Sequence, residues 1–231
     1  MRVLVTRPEP DSEQLAVALR ARGHEPALAP LMRIEPTSDV PPSNVGSAVL
    51  LFTSANGVRA AAMQGVRPVN GVLTVGPASA AAARASGFDV AAVAGGDVAS
   101  LAEAVRTHVS LDRPLVHVAG ADLAGDLSGE LRRAGYCVTR WTAYRAVVAD
   151  VLPDTAREFV NGGPGAVALF SPRSARLLIN LMQEAGLAAR APAHLALCLS
   201  AAVAAAAVAL PWRNVLCAPS PDQAALIDLL D

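Results

Sequence analysis

The chain has 231 residues, of which 53% are apolar and 17% charged, and its formal net charge is −1. This composition excludes a disordered or fibrous protein, and the scattered basic residues form no stripe that would favour nucleic acid as a partner. All 19 basic residues are arginine, which excludes chemistry that needs a lysine, such as a Schiff base or a phosphate-binding loop.

Short β-branched or Leu-rich runs alternate with helical stretches of about 10 to 15 residues along the chain. This alternation predicts an α/β fold in which helices flank parallel sheets. The predicted strands are 2–5, 26–29, 48–53, 72–75, 89–93, 115–118, 137–141, 166–170, 194–199 and 214–217. Ten strands are many for one sheet in a protein of this size. The length of the chain is compatible with one domain or with two.

A repeat in the sequence favours two domains. LLFTSANGV (50–58) resembles VALFSPRSA (167–175), VLTVGPASAAAA (72–83) resembles ALCLSAAVAAAA (196–207), and VAGGDVASLAEAV (93–105) resembles CAPSPDQAALIDLL (217–230). The segment that continues the first half, 116–138, instead resembles 3–28, so the repeat is circularly permuted. Such a pattern predicts two similar βα domains.

The permutation sets the expected boundaries. One domain is continuous over 37–143, and the other combines 1–31 with 149–231. The chain then crosses between them twice, through linkers at about 32–36 and 144–148, which we expect to pair as two extended strands. Because ligands bind beyond the carboxyl ends of parallel strands, two such domains are expected to enclose a cleft.

Small polar residues follow several of the predicted strands. They form the turns Thr6-Arg7-Pro8, Thr53-Ser54-Ala55-Asn56-Gly57, Gly76-Pro77-Ala78-Ser79, Ser171-Pro172-Arg173-Ser174 and Ser220-Pro221-Asp222. Hydroxyls and free N–H groups at helix starts bind carboxylates or phosphates, and the same residues also serve as ordinary N-caps. Several such turns around one cleft favour a ligand with many anionic groups.

Other kinds of site find little support in the sequence. VGPAS around Gly76 lacks the spacing of a dinucleotide-binding motif, and the four histidines lack metal-ligand spacing. His117 and His194 lie within predicted strands, where we expect satisfied core histidines. Tyr144 lies on a predicted linker, and either hinge packing or hydrogen-bond donation into the cleft explains it.

The expected compartment is the cytoplasm, and no membrane association is expected. Cys137, Cys198 and Cys217 are odd in number and widely spaced among apolar residues, which predicts buried reduced thiols instead of disulfides or a zinc site. The N-terminal segment lacks the features of a secretory signal peptide. The apolar stretch 195–210 is shorter than the roughly 20 residues of a membrane span, so we predict a buried strand followed by an Ala-rich helix.

The chain resembles the uroporphyrinogen-III synthase family. The residues that carry the resemblance are VLVTRP at the start, LLFTSANGV, VGPASA, FSPRSA, PSPDQAALIDLL and the tyrosine of TAY at 142–144. Each motif is weak alone, but the ordered set spans nearly the whole chain. The resemblance implies two flavodoxin-like domains, each a parallel sheet flanked by helices, joined by a two-stranded linker.

The resemblance also implies a reaction. The family cyclises hydroxymethylbilane, a linear tetrapyrrole with eight carboxylates, to uroporphyrinogen III with loss of water and inversion of ring D. This reaction needs no cofactor and no metal, and the resemblance implies a monomer that acts without nucleic acid. The substrate supplies the reactivity, so the protein mainly has to hold one conformation.

By motif match, Tyr144 takes the place of the family's cleft tyrosine, which assists departure of the hydroxyl. The residues implied in binding the substrate carboxylates are Arg7, Thr53, Ser54, Asn56, Gly76, Ser79, Ser171 and Ser174. Arg7 has an alternative role as the partner of a nearby surface acid.

The sequence leaves a second hypothesis open, a noncatalytic two-domain protein that binds a tetrapyrrole or another polyanion. The turn at 198–203 reads CLSAAV, without the glycine and the following threonine that the family usually has, and this departure favours the noncatalytic hypothesis. Tyr144 and the TSAN cluster favour the synthase. The end of the chain at residue 231, with no DNA-binding extension, counts against a regulator.

Overall fold

The computed structural model describes residues 1–122 and 125–231, which form two units by their internal contacts. The first unit comprises Met1–Arg33 and Val147–Asp231, and the second comprises Ile34–Ala146. The strands in the described residues are β1 (Arg2–Val5), β2 (Glu25–Leu28), β3 (Met32–Pro36), β4 (Val49–Phe52), β5 (Val72–Thr74), β6 (Val90–Val93), β7 (Leu115–Gly120), β8 (Val138–Val148), β9 (Gly165–Leu169), β10 (His194–Cys198) and β11 (Asn214–Cys217).

Helices follow most of these strands. The α-helices in the described residues are α1 (Asp11–Ala21), α2 (Ala55–Met63), α3 (Pro77–Ala85), α4 (Val98–His108), α5 (Leu127–Arg133), α6 (Asp154–Asn161), α7 (Pro172–Glu184), α8 (Ala201–Ala207) and α9 (Gln223–Ile227). Short 3-10 segments occupy Ala188–Ala193 and Asp228–Leu230. The predicted strand and Ala-rich helix within 195–210 are therefore β10 and α8.

The first unit contains a five-stranded parallel sheet in the order β11-β10-β9-β1-β2. Its central strands are mostly apolar, with Arg2 and His194 at the first positions of β1 and β10, because helices cover both faces of the sheet. Alternate residues of β1 therefore enter different cores, with Leu4 packing beside Phe159 on one face and Val3 and Val5 packing beside Leu15 on the other. Successive strand residues point to opposite faces, which explains this division.

The other sheet has six strands in the order β3-β8-β7-β4-β5-β6. The strands β4 to β8 pair in parallel. All four residues of β4 are buried, and they alternate between a core that includes Phe52 and Phe88 and a core that includes Leu51 and Leu115. The predicted α/β fold with parallel sheets flanked by helices is confirmed, and β3 adds a strand at one edge.

The segments predicted as linkers are extended and are neighbours in this sheet. The second of them continues β8 without a break, so the strand predicted over 137–141 runs on to Val148. The Thr37 N–H donates to the Ala143 carbonyl and the Ala149 N–H donates to the Leu31 carbonyl. Residue numbers rise on one segment as they fall on the other, which is the pattern of antiparallel pairing.

The prediction that the cysteines are free thiols is confirmed, but the prediction that they are buried is wrong for two of the three. All three thiols are free, but Cys137 and Cys217 are exposed and only Cys198 is buried. Cys137 precedes the first residue of β8, and Cys217 ends the edge strand β11, so apolar neighbours in sequence do not bury either of them. No helix among the described residues is long and apolar enough to span a membrane.

This difference in exposure predicts two classes of thiol. Burial raises the pKa of Cys198 to about 12, so this thiol is protonated at neutral pH and also inaccessible. We expect an aromatic disulfide reagent at pH 8 to titrate two thiols of the native protein within minutes and the third only after unfolding in guanidinium. Three equally fast thiols would contradict the placement of Cys198 in the core.

Candidate functional site

A cavity of about 580 Å³ opens in the second unit, at the carboxyl ends of its central parallel strands. Its polar lining includes Thr53, Ser54, His117, Asp97, Asp122 and Tyr144. Three of these, Thr53, Ser54 and Tyr144, are among the site residues expected from the sequence. The cavity therefore brings together the TSAN cluster after β4 and the tyrosine of β8.

Tyr144 is held at this cavity by two glycines. Its ring packs so closely on Gly120 that a Cβ atom there would lie 2.8 Å from the ring Cζ and 3.0 Å from the hydroxyl oxygen. A Cβ at Gly57 would lie 3.6 Å from the ring Cε1. Gly120 and Tyr144 are partners across β7 and β8, beyond an irregularity in the register. The backbone of two paired strands therefore sets the position of the ring.

The Tyr144 hydroxyl is a hydrogen-bond donor at neutral pH. Burial raises the pKa of Tyr144 and the nearby Asp122 carboxylate raises it further, while a hydrogen bond with Ser54 acts in the opposite direction. The phenol therefore stays protonated, and it lies beside the Ser54 hydroxyl at the start of α2. Such a phenol can donate to an oxygen on a ligand.

Behind Thr53 lies a buried histidine. The Thr53 Oγ1 and the His117 Nε2 are 3.3 Å apart, and the His117 Nδ1 lies 2.9 Å from the Ser128 Oγ. Burial lowers the pKa of His117 to about 4, with a smaller contribution from Arg140. As expected from the sequence, His117 is a buried, hydrogen-bonded histidine, but it also lines the cavity.

His194, the other histidine predicted within a strand, has a hydrogen-bond partner among the described residues for only one of its two ring nitrogens. It is fully buried in the first unit, and its Nε2 lies 3.2 Å from the Val160 carbonyl oxygen. Its Nδ1 finds no hydrogen-bond partner within the described residues. Burial lowers the pKa of His194, so its ring favours the neutral form.

The low pKa of His117 predicts acid sensitivity of the second unit. In the unfolded chain the pKa returns to 6.5, so between pH 6.5 and pH 4 the unfolded state binds more protons. The stability contributed by neutral His117 is complete above this window and is lost as the pH falls through it. We expect His117 to lower the free energy of unfolding by about 2 kcal/mol between pH 7.5 and pH 5.

Urea unfolding followed by tryptophan fluorescence measures this loss. Trp141 lies in the second unit and Trp212 in the first, so a Trp212→Phe background reports the second unit. The His117→Gln variant in the same background is the matched control. Between pH 7.5 and pH 5 its free energy of unfolding should fall by about 2 kcal/mol less than that of the protein with His117. Equal acid sensitivity of the two proteins would refute the assignment.

The expected residues at the starts of α2 and α3 also have contacts or positions that serve the helices themselves. The Ser54 Oγ accepts from the Asn56 backbone N–H at 3.1 Å, and the Asn56 Oδ1 accepts from Arg59 at 2.8 Å. Gly76 is the N-cap of α3, and Ser79 is buried in the first turn of that helix. Capping, the alternative left open by the sequence, thus describes Ser54 and the N-cap position of Gly76.

The expected residues of the first unit also have partners within the protein. Arg7 pairs with Asp11 at 2.9 Å and stacks 4.3 Å above the Phe170 ring. The Ser171 Oγ caps α7 by accepting from the Ser174 N–H, and the two hydroxyl oxygens lie 2.8 Å apart. Arg7 therefore makes the contact with a nearby acid that the sequence offered as its alternative role.

Sequence reasoning missed two acids at the cavity. Asp97 lies in the loop before α4, where its carboxylate accepts from the Ser100 N–H at 2.7 Å in a capping box. Asp122 lies two residues beyond β7 and its charge acts on Tyr144. Both residues follow parallel strands, and this position in the sequence could have identified them as candidate site residues. Both carboxylates line the cavity together with His117.

Comparison with protein-family models identifies the protein's relatives. The family model described as uroporphyrinogen-III synthase HemD matches residues 13–228. The chain belongs to the uroporphyrinogen-III synthase family. The resemblance carried by the sequence motifs is thereby confirmed.

Solved synthases share this fold. A mutant uroporphyrinogen III synthase from the extremely thermophilic bacterium Thermus thermophilus is 18% identical, with a TM-score of 0.58 over 100% of this chain and 97% of that one. The uroporphyrinogen-III synthetase from Helicobacter pylori is 12% identical, with a TM-score of 0.66 over 100% and 98% of the two chains. No significant match was found among curated protein sequences.

Membership of the synthase family settles the class of function. The protein is a cyclising enzyme of tetrapyrrole biosynthesis that forms uroporphyrinogen III from a tetrapyrrole substrate. The alternative of a noncatalytic tetrapyrrole or polyanion-binding protein is not favoured.

Proposed function

We propose that the protein is a carbon–oxygen lyase that uses the cavity beside Tyr144 to close hydroxymethylbilane. The supporting observation is the protonated Tyr144 phenol, packed on Gly120 and hydrogen-bonded to Ser54 within the cavity. In the first step the C–O bond of the hydroxymethyl group breaks, driven by the pyrrole nitrogen. The hydroxyl leaves with the bonding electron pair and the pyrrole N–H releases one proton, so the net products of this step are water and a neutral azafulvene.

Tyr144 is the proposed catalytic residue in that step. Its O–H donates a hydrogen bond to the departing oxygen, which lowers the charge that develops there. Burial supports this role, because the raised pKa keeps the phenol protonated while hydrogen bonds in a partly dry cavity gain strength. The electron-poor methylene carbon then bonds to the ring D α-carbon that already carries the bridge to ring C, which gives a spiro intermediate. The bond from that α-carbon to the bridging methylene breaks, and the methylene bonds instead to the other α-carbon of ring D, which loses its proton, so that ring D is inverted.

The donors at helix starts suggest how the substrate is oriented. The acetate and propionate groups are proposed to bind at helix starts that carry hydroxyl or backbone N–H donors. In the second unit these are Thr53, Ser54, Asn56, Gly76 and Ser79, and in the first unit Arg7, Ser171 and Ser174. The pyrrole N–H groups, which are donors, are proposed to face Asp122.

We further propose that the enzyme is a cytoplasmic monomer that binds no nucleic acid. The three free thiols suit a reducing compartment. The net charge of −1 gives no electrostatic attraction for a polyanion as large as nucleic acid. Size-exclusion chromatography with light scattering tests the monomer, for which a mass near 23.6 kDa is expected.

Isomer analysis of the product tests the function. Hydroxymethylbilane closes without help to uroporphyrinogen I, so the purified protein must divert it to uroporphyrinogen III. The substrate is generated by a coupled enzyme, and the oxidised products are separated by chromatography. We expect the type III isomer to predominate with the protein and to be absent without it. A mixture containing only the type I isomer at all protein concentrations would refute the proposal.

A further inference from the structure

Three polar side chains form a chain of contacts that leads from the cavity into the protein. Thr53 lines the cavity, and its Oγ1 lies 3.3 Å from the His117 Nε2. The His117 Nδ1 in turn lies 2.9 Å from the Ser128 Oγ. His117 is 1% exposed and Ser128 is 4% exposed, so bulk water does not compete for the contact between them. We name these three residues the Thr53 relay.

The two hydrogen bonds of the relay depend on each other because His117 is neutral. Burial and the charges of Arg140 and Arg132 lower the pKa of His117, and Asp126 alone opposes them. A neutral imidazole carries one N–H, so one ring nitrogen donates and the other accepts. When Ser128 donates to Nδ1, Nε2 donates to Thr53. In the opposite tautomer Thr53 must donate to Nε2.

The tautomer decides what Thr53 offers to a ligand. If Nε2 donates to the Thr53 oxygen, the threonine hydroxyl hydrogen is free to point into the cavity. If Thr53 instead donates to Nε2, only oxygen lone pairs face the cavity. A carboxylate has no hydrogen to donate, so it binds well only to the first arrangement.

We infer that His117 is a positioning residue that, oriented by Ser128, keeps the Thr53 hydroxyl a donor toward a substrate carboxylate. This inference rests on the proposed function, in which Thr53 binds an acetate or propionate group. It adds His117 to that site and assigns the donor of each hydrogen bond. Ser128 donates to His117, His117 donates to Thr53, and Thr53 donates to the substrate.

Two substitutions of His117 separate the two ends of the relay. The amide of His117→Asn sits near the position of Nδ1, so it reaches Ser128 and falls short of Thr53. The amide of His117→Gln reaches the position of Nε2 and can donate to Thr53. We expect His117→Asn to raise KM about tenfold with kcat within about threefold of the parent, because one charge-assisted hydrogen bond is weakened. His117→Gln should keep KM within about threefold of the parent.

A Thr53→Val background shows whether His117 acts through Thr53. In that background His117→Asn should leave KM unchanged, since the relay has already lost its outer member. Equal KM values for the Asn and Gln variants, or an undiminished effect in the Thr53→Val background, would overturn the inference. The parent protein must form uroporphyrinogen III in the same assay, so failure of the proposed function is recognised separately by a type I product.

The tautomer is also measurable without substitution. In ¹⁵N-labelled parent protein bound to uroporphyrinogen III under anaerobic conditions, the His117 resonances should show a protonated Nε2 and an unprotonated Nδ1. This readout keeps the inference testable if His117→Asn fails to fold. The opposite tautomer in the complex would overturn it.

Discussion

Tyr144→Phe should lower kcat by roughly two orders of magnitude while leaving the protein folded, because a single donor to a developing oxyanion contributes about that much. The substitution removes one oxygen and keeps the ring that packs on Gly120 and Gly57. The lost hydrogen bond to Ser54 lies at a cavity wall where water can replace it. KM should change little, since the phenol acts on the leaving group. Steady-state kinetics with isomer analysis and thermal unfolding measure both quantities.

The chain offers a matched control, since it has one other tyrosine. Tyr136 is buried in the same unit, and its hydroxyl donates to the Val109 carbonyl at 3.0 Å. Tyr136→Phe should therefore cost about 1 kcal/mol of stability and leave kcat unchanged. An unchanged kcat in Tyr144→Phe would remove Tyr144 from the mechanism. A parallel loss of activity in both variants would point to stability as the cause.

Gly120→Ala should reduce activity strongly although it adds a single methyl group. The new Cβ would lie 2.8 Å from the Tyr144 Cζ, and Gly120 belongs to the paired strand β7. The backbone cannot retreat without breaking the sheet pairing, so the ring must move and carry its hydroxyl away from Ser54. Displacements of about 1 Å at a reacting group cost on the order of 100-fold in rate. The crowding should also destabilise the unit by about 1 to 3 kcal/mol.

Two further variants isolate the contact with the ring. Gly46→Ala is the control, since its Cβ would meet only the Arg67 carbonyl oxygen at 4.0 Å, and it should leave both rate and stability near those of the parent. In a Tyr144→Ala background, Gly120→Ala should no longer destabilise, because the clashing ring is absent. Full activity of Gly120→Ala would contradict the claim that Gly120 fixes the tyrosine.

The α/β architecture was readable from the sequence because its signals are local. Strands such as β4 and β9 are short apolar runs, and each is followed by hydroxyl residues that start a helix. The order of those signals, repeated with a permutation, also led to the expectation of two domains. Thr53 was expected at a cleft because it follows a predicted parallel strand, and Tyr144 because it lies on a predicted linker and matches the family's cleft tyrosine; both line the same cavity.

Contacts set by register and by side-chain direction were not readable. His117 was recognised as a core histidine, yet its place behind Thr53 depends on the pairing of His117 with Leu51 across β7 and β4. The exposure of Cys137 and Cys217 depends on where strands begin and end, which apolar neighbours do not reveal. The partner of Arg7 depends on the start of α1, one turn after the arginine.

Chemical shift mapping of the product complex tests the central claim most directly. The claim is that the tetrapyrrole binds at the cavity beside Tyr144, and uroporphyrinogen III titrated anaerobically into ¹⁵N-labelled protein reports where it binds. We predict the largest shifts of the second unit at the backbone amides of Thr53, Ser54, His117 and Tyr144. The smaller cavity lined by Asn70, Ser110 and Arg113 serves as an internal reference and should stay unchanged. Shifts concentrated at that reference cavity, with none beside Tyr144, would contradict the account.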